Sequence, residues 1–200
     1  MHGELDAHSL DEALKLLEAR LRRLGAPPMG IVVCGGSGLL ATGLILRTTK
    51  DVDVVALMDL DEQLVDPDPL PQALLRAAAE VAEEMGLDDR WLNNGPSRGD
   101  GGLFRLGFPD RFQSRLHKQC FGANLSVYFV DRVDQIHFKL YAAVDRGGRH
   151  VEDLRDLHPS KEELHDAARW SMTHDVSEAY RSVLKSMLKQ LGHDDVAENV

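Results

Sequence analysis

"VCGGSGLLATGLILRTTKDVDVVALMD", residues 33–59, opens on a glycine-rich turn and closes on two aspartates one residue apart. Residues 29–34, "MGIVVC", are rich in β-branched residues and predict a buried strand entering the turn. "LLATGLIL" predicts a short helix ending near Arg47, and "DVDVVALM" a second strand. Upstream, Leu10, Leu14, Leu17, Leu21 and Leu24 fall at helical spacing, with Ser9 as N-cap and Glu12 three residues on. Downstream, "ALLRAAAEVAEEMGL" predicts a long helix, "NNGPSRGDGG" a loop, and "LFRLGF" and "NLSVYFVD" two more strands. "DRFQSRLHKQ", if helical, sets Arg111, Arg115 and Lys118 on one side. From Asp134 the chain reads helical over 134–146, 160–173 and 176–191, with a turn near 152–157. The last of these helices places Val176, Tyr180, Val183, Met187 and Leu191 on one stripe, read as core.

Strands early and helices late argue for an α+β fold: a small mixed sheet flanked by helices, residues 1–133, and a helical C-terminal part, residues 134–200, packed on it. The 200 residues carry a net charge of −10, which disfavours non-specific nucleic-acid binding by the chain as a whole. Two cysteines, Cys34 and Cys120, are too few for a disulfide framework or a structural zinc site. The histidines show no metal-site spacing. The N-terminal residues lack the apolar core of a signal peptide, and no apolar run approaches a membrane span. No membrane association and a cytoplasmic location are the resulting expectations.

The turn itself has two readings. Gly36 to Ala41 matches G-x-G-x-x-G/A after a strand, and Asp59 ends the next strand, where the ribose-binding acid of a Rossmann-like dinucleotide site belongs. Against this stand a short intervening helix interrupted by Gly43, the polar step "RTTK", and no further βαβ units. The second reading uses residues the first leaves idle. Strand alternation puts the Asp51 and Asp53 carboxylates on one face. Two hard oxygen donors beside a phosphate-binding turn suit Mg²⁺, with open positions for triphosphate oxygens. Gly35, Gly36 and Ser37 supply backbone N–H groups and a hydroxyl for those phosphates. Arg47 and Lys50 add positive charge.

Gly35-Gly36-Ser37 followed by Asp51-Val52-Asp53 resembles the nucleotidyltransferase superfamily that includes DNA polymerase beta. The wording of residues 35–54 looks closest to the AbiEii-type group, which includes toxins of bacterial toxin–antitoxin pairs. In that group a lysine-bearing helix precedes an acidic D-x-x-D turn; the matching residues are "KLYAAVDR", Lys139 to Arg146, and "DLRDL", Asp153 to Leu157. The resemblance implies an NTP substrate, Mg²⁺ held by Asp51 and Asp53, and catalytic roles for Lys139 and Asp153. It further implies phosphate contact by Arg146, an RNA, protein or small-molecule acceptor, and a cognate antitoxin as a partner. Lys139 and Arg146, seven apart, would project from one side of a helix. The superfamily's third carboxylate has two candidates, Asp131 at the end of "NLSVYFVD" and Asp153; without either, the protein would bind nucleotide without transferring it. An RNA acceptor would need a basic surface, for which Arg98, Arg105, Arg111, Arg115 and Lys118 are the dense candidates.

Overall fold

In the computed structural model, which describes residues 3–200, the chain divides into two units, Met1–Asp131 and Arg132–Val200. Among the described residues it is an α+β protein with nine α-helices and an open, mixed six-stranded sheet. No described helix is long and apolar enough to cross a membrane.

The first unit holds the sheet. Helix α1 (Ala7–Arg23) begins earlier than its leucine spacing indicates. Asp6, not Ser9, is the N-cap: its carboxylate accepts the Ser9 N–H at 2.8 Å, and the Ser9 hydroxyl accepts the Asp6 N–H at 2.8 Å. Ser9 thus takes the N3 role of a capping box. Leu10, Leu14, Leu17 and Leu21 are buried on the face that meets the rest of the unit. Strand β1 (Met29–Cys34) runs directly into helix α2 (Gly35–Ala41), so this helix begins on the glycines and stops before Gly43, which has φ +72°. Strand β2 (Val52–Met58) returns antiparallel to β1, pairing Gly30 with Met58 and Cys34 with Asp53.

Strand β3 (Leu64–Val65), helix α3 (Gln72–Met85), strand β4 (Leu92–Asn93), helix α4 (Leu103–Leu106), strand β5 (His117–Cys120) and strand β6 (Leu125–Phe129) complete the unit. The sheet order is β3-β2-β1-β6-β5, and β4 pairs with β2 at its other end. β6 is parallel to β1. α3 packs on α1, joined by Arg20–Glu84 and Arg23–Glu80 ion pairs, and ends at Gly86 in the left-handed conformation.

Two expected elements take other forms. "LFRLGF" is not a strand but α4 and the loop after it. Phe104, Phe108 and Phe112 spend their rings on one another, with centroids 5.8 and 4.2 Å apart, and Gly107 (φ +100°) turns the chain back. "DRFQSRLHKQ" is a 3₁₀ turn, Phe112–Arg115, followed by β5, so Arg111, Arg115 and Lys118 share no helix face.

The second unit is helical: α5 (Arg132–Arg146), α6 (Arg149–Asp156), α7 (Lys161–His174), α8 (Glu178–Gln190) and α9 (Asp194–Glu198). α5 is its centre and packs on α6, α7 and α8. The stripe expected on the last long helix is misphased. Leu184 and Leu188 are the fully buried residues of α8, whereas Val176 is 76% and Val183 47% exposed. Val176 lies before the helix, whose N-cap is Ser177, so it carries no information about the buried face. Trp170 is the hub of an aromatic cluster with His137, Phe138, Tyr141 and His174.

Candidate active site

The antiparallel pairing of β1 and β2 bears on the dinucleotide reading of the glycine turn. A dinucleotide turn needs a parallel strand–helix–strand unit, with the ribose acid at the same sheet end as the glycines. Here Asp59 lies beyond Met58, which opposes Gly30. That is about five residues, or roughly 17 Å along the strand, from Gly35. Asp59 instead organises its own turn, its carboxylate accepting the Asp61 and Gln63 N–H groups at 3.0 and 2.7 Å. The Rossmann-like reading is therefore corrected.

The same pairing brings the D-x-D residues onto the turn. Asp51 and Asp53 are both half-buried and flank Val52, which is fully buried, as expected for two carboxylates on one face and an apolar residue on the other. Gly35 has φ +71°, and a Cβ there would stand 2.7 Å from Asp53 Oδ2. A Cβ on Gly36 would stand 2.8 Å from Thr49 Oγ1 and 3.6 Å from Arg47 Nη1. The two glycines thus leave room for a carboxylate on one side and for a hydroxyl and a guanidinium on the other. Thr49 is buried; it is tied to Leu5 by two backbone hydrogen bonds, and its hydroxyl donates to the Asp51 carbonyl at 3.3 Å. The polar step "RTTK" holds Asp51 in place. Ser37 is fully buried and its hydroxyl donates to the Cys34 carbonyl at 3.3 Å, so in this state it braces the turn and presents no hydroxyl to solvent.

The strand register defines what else lies level with Asp53. Asn93 of β4 is its neighbour on one side and Cys34 of β1 on the other. Beyond Cys34 comes Val130, whose N–H donates to the Val33 carbonyl. This row holds no second acid. Asp131 follows Phe129 in alternation, on the face opposite to Cys34 and Asp53, and its carboxylate is engaged by His117 Nε2 at 2.9 Å. Among the described residues no group of three or more His, Cys, Asp and Glu side chains is arranged to hold a metal. Asp51 and Asp53 fit Mg²⁺ in the more modest way that ion accepts, as two carboxylates with water and substrate phosphate completing the shell.

Beside Asp51 opens a cleft of about 820 Å³ that the sequence did not announce. Its lining includes Lys50, Asp51, Arg90, Asn93, Asn94 and Arg98. The wall is stiff. The Asn93 Oδ1 accepts the Gly95 N–H at 2.7 Å, and Asn94 donates to the Pro67 carbonyl at 3.0 Å. The Ser97 hydroxyl donates to the Val55 carbonyl at 2.7 Å. A Cβ on Gly102 would stand 2.3 Å from the Ser97 backbone, which explains one glycine of that loop.

Two of the five residues of the expected basic surface, Arg105 and Lys118, are held in local ion pairs. Arg105 is shared by Asp66 at 3.0 Å and Asp100 at 2.9 Å. Lys118 lies over the Tyr128 ring, 5.3 Å from its centroid, and contacts Glu62 at 3.0 Å; Tyr128 and then Glu62 raise its pKa. Only Arg98 of the five lines the cleft.

In the second unit, Lys139 and Asp153 meet. The Lys139 ammonium donates to Asp153 Oδ2 at 2.6 Å, and the residues are 6% and 1% exposed. Arg146, expected on the same side of the helix, is exposed and paired with its neighbour Asp145 at 3.1 Å. The seven-residue spacing therefore does not give the two cations one environment: Lys139 points into the core of its unit.

No family model matches the chain, and neither a curated protein nor a solved structure matches it.

Proposed function

We propose that the protein is a Mg²⁺-dependent nucleotidyltransferase acting on a nucleoside triphosphate at the turn between β1 and α2. The observation that carries this reading is the fit of Asp53 against Gly35: the carboxylate occupies the space a side chain would fill, directly at the turn. A solvated strand-start acid would have no need of a left-handed glycine beneath it.

Asp51 and Asp53 would hold Mg²⁺, which when bound would supply charge neutralisation and alignment of the phosphate oxygens. The chain's own residues do the rest. Backbone N–H groups of Gly35 and Gly36 face the phosphates, Ser37 and Thr49 keep the turn and Asp51 in register, and Arg47 brings a cation to the turn's outer side. An acceptor hydroxyl attacks the α-phosphorus; the new P–O bond forms as the bond to pyrophosphate breaks, and the hydroxyl proton passes to solvent. Loss of Asp51 and Asp53 together is expected to reduce transfer of labelled nucleotide to cell RNA or protein at least about 100-fold. Undiminished transfer by Asp51→Ala/Asp53→Ala removes the assignment.

A second reading rests on the row Asn93–Asp53–Cys34–Val130. With an amide, a thiol and a valine level with Asp53, the fold would bind nucleotide and leave it intact. Calorimetry showing Mg²⁺-dependent binding, with no turnover on any acceptor, selects this form. A toxin role with a cognate antitoxin follows from the sequence resemblance alone.

A further inference from the structure

The cleft beside Asp51 contains three cations with no ion-pair partner among the described residues, Lys50, Arg90 and Arg98. Elsewhere in this chain of net charge −10, Arg20, Arg23, Arg105, Lys118, Arg132 and Lys139 pair with acids. Two of the three acids in the same cleft are held in local hydrogen bonds. Glu4 accepts from the Thr48 hydroxyl, and Asp88 Oδ1 accepts the Arg90 N–H at 2.8 Å. Asp51 is the third, and a divalent cation on it would cancel its charge. Arg90 and Arg98 stand on either side of the Asn93–Ser97 wall, which is fixed by its hydrogen bonds, so their stems are positioned while their guanidinium groups stay solvated.

We propose that this cleft binds the second substrate, and that this substrate carries phosphate. Guanidinium forks match phosphate oxygens, and three separated cations match more than one phosphate or a phosphodiester run. The proposal rests on the transferase reading, and it replaces the three open acceptor classes by one: a phosphate-bearing acceptor, as opposed to a protein hydroxyl. The site is distinct from the turn at Gly35, where the donor triphosphate sits. Asp51 lines this cleft, so an acceptor held there would lie beside a carboxylate of the proposed metal pair.

The test measures binding, not turnover. Wild type, Arg90→Gln/Arg98→Gln and Asp51→Asn/Asp53→Asn are titrated with three probes in Mg²⁺: a short single-stranded oligoribonucleotide with a free 3′-hydroxyl, a hexose phosphate, and each nucleoside triphosphate. Both arginines are exposed, so the variant is expected to fold. The expected result is a loss of at least tenfold in affinity for one of the two acceptor probes, with triphosphate affinity within twofold of wild type. If the oligonucleotide is that probe, the variant also loses salt dependence, since fewer counterions are released. Unchanged acceptor affinity, no wild-type binding of either acceptor probe, or an equal loss of triphosphate affinity overturns the proposal. Failure of the transferase reading shows separately, as undiminished triphosphate binding by Asp51→Asn/Asp53→Asn.

Discussion

Asp51 and Asp53 in the first unit, and Lys139 and Asp153 in the second, are two pairs of charged residues in opposite surroundings. The aspartate pair stands half-buried at the rim of a sheet, beside a cleft and against a glycine that yields it space. The lysine–aspartate pair is closed into a helical core, each charge answered by the other at 2.6 Å. Charge alone does not mark a site; what marks it is charge placed where the fold leaves an approach. Two like charges on one face repel each other, which a bound cation would ease, whereas a buried opposite pair is already satisfied.

The largest effect is expected at the buried pair. Lys139→Met leaves the Asp153 carboxylate desolvated and is expected to cost about 3–5 kcal/mol in urea denaturation, while Lys139→Met/Asp153→Leu recovers most of it. A single variant as stable as wild type would mean that the pair is open to water. A smaller effect is expected at the rim. Gly35→Ala meets both a left-handed backbone and the Asp53 carboxylate; its backbone strain costs about 1–2 kcal/mol, and the carboxylate must swing away. Nucleotide affinity should therefore fall more than stability does, and a stability loss with normal affinity would detach Asp53 from the site.

The smallest effect concerns the aromatic cluster of the second unit. Burial lowers the His174 pKa beneath its usual 6.5, so as pH falls the unfolded chain binds the proton first. The stability conferred by the neutral ring is complete above about pH 6.5 and is lost as pH falls through the lower folded value. His174→Phe is expected to flatten the melting temperature between pH 7 and 5 by less than about 3 °C. An unaltered pH profile would place His174 in water.

Much of this was legible in the chain. The α1 stripe, the strand at 29–34 and the strand from Val52 are local in origin, set by residue spacing and β-branching. The two candidate carboxylates needed only strand alternation. What escaped depends on pairing between distant segments. "LFRLGF" has strand-like residues but no partner strand, and its phenylalanines cluster with Phe112 instead. The cleft exists because β4, two residues long, joins β2 and carries Asn93 and Asn94 to Asp53. Neither the brevity of β4 nor its parallel pairing is written in local periodicity. The "GGSG" turn could not be assigned from its own letters, since the antiparallel return of β2, not the glycines, excludes a dinucleotide site.

The proposed role of Asp51 and Asp53 is to hold a metal–nucleotide complex at the β1–α2 turn. Calorimetric titration of the four nucleoside triphosphates, with Mg²⁺ and with excess chelator, tests it most directly. At least one triphosphate is expected to bind wild type only with Mg²⁺, and its affinity should fall at least tenfold in Asp51→Asn/Asp53→Asn while the melting temperature holds. Binding that ignores both Mg²⁺ and the two substitutions would contradict the account.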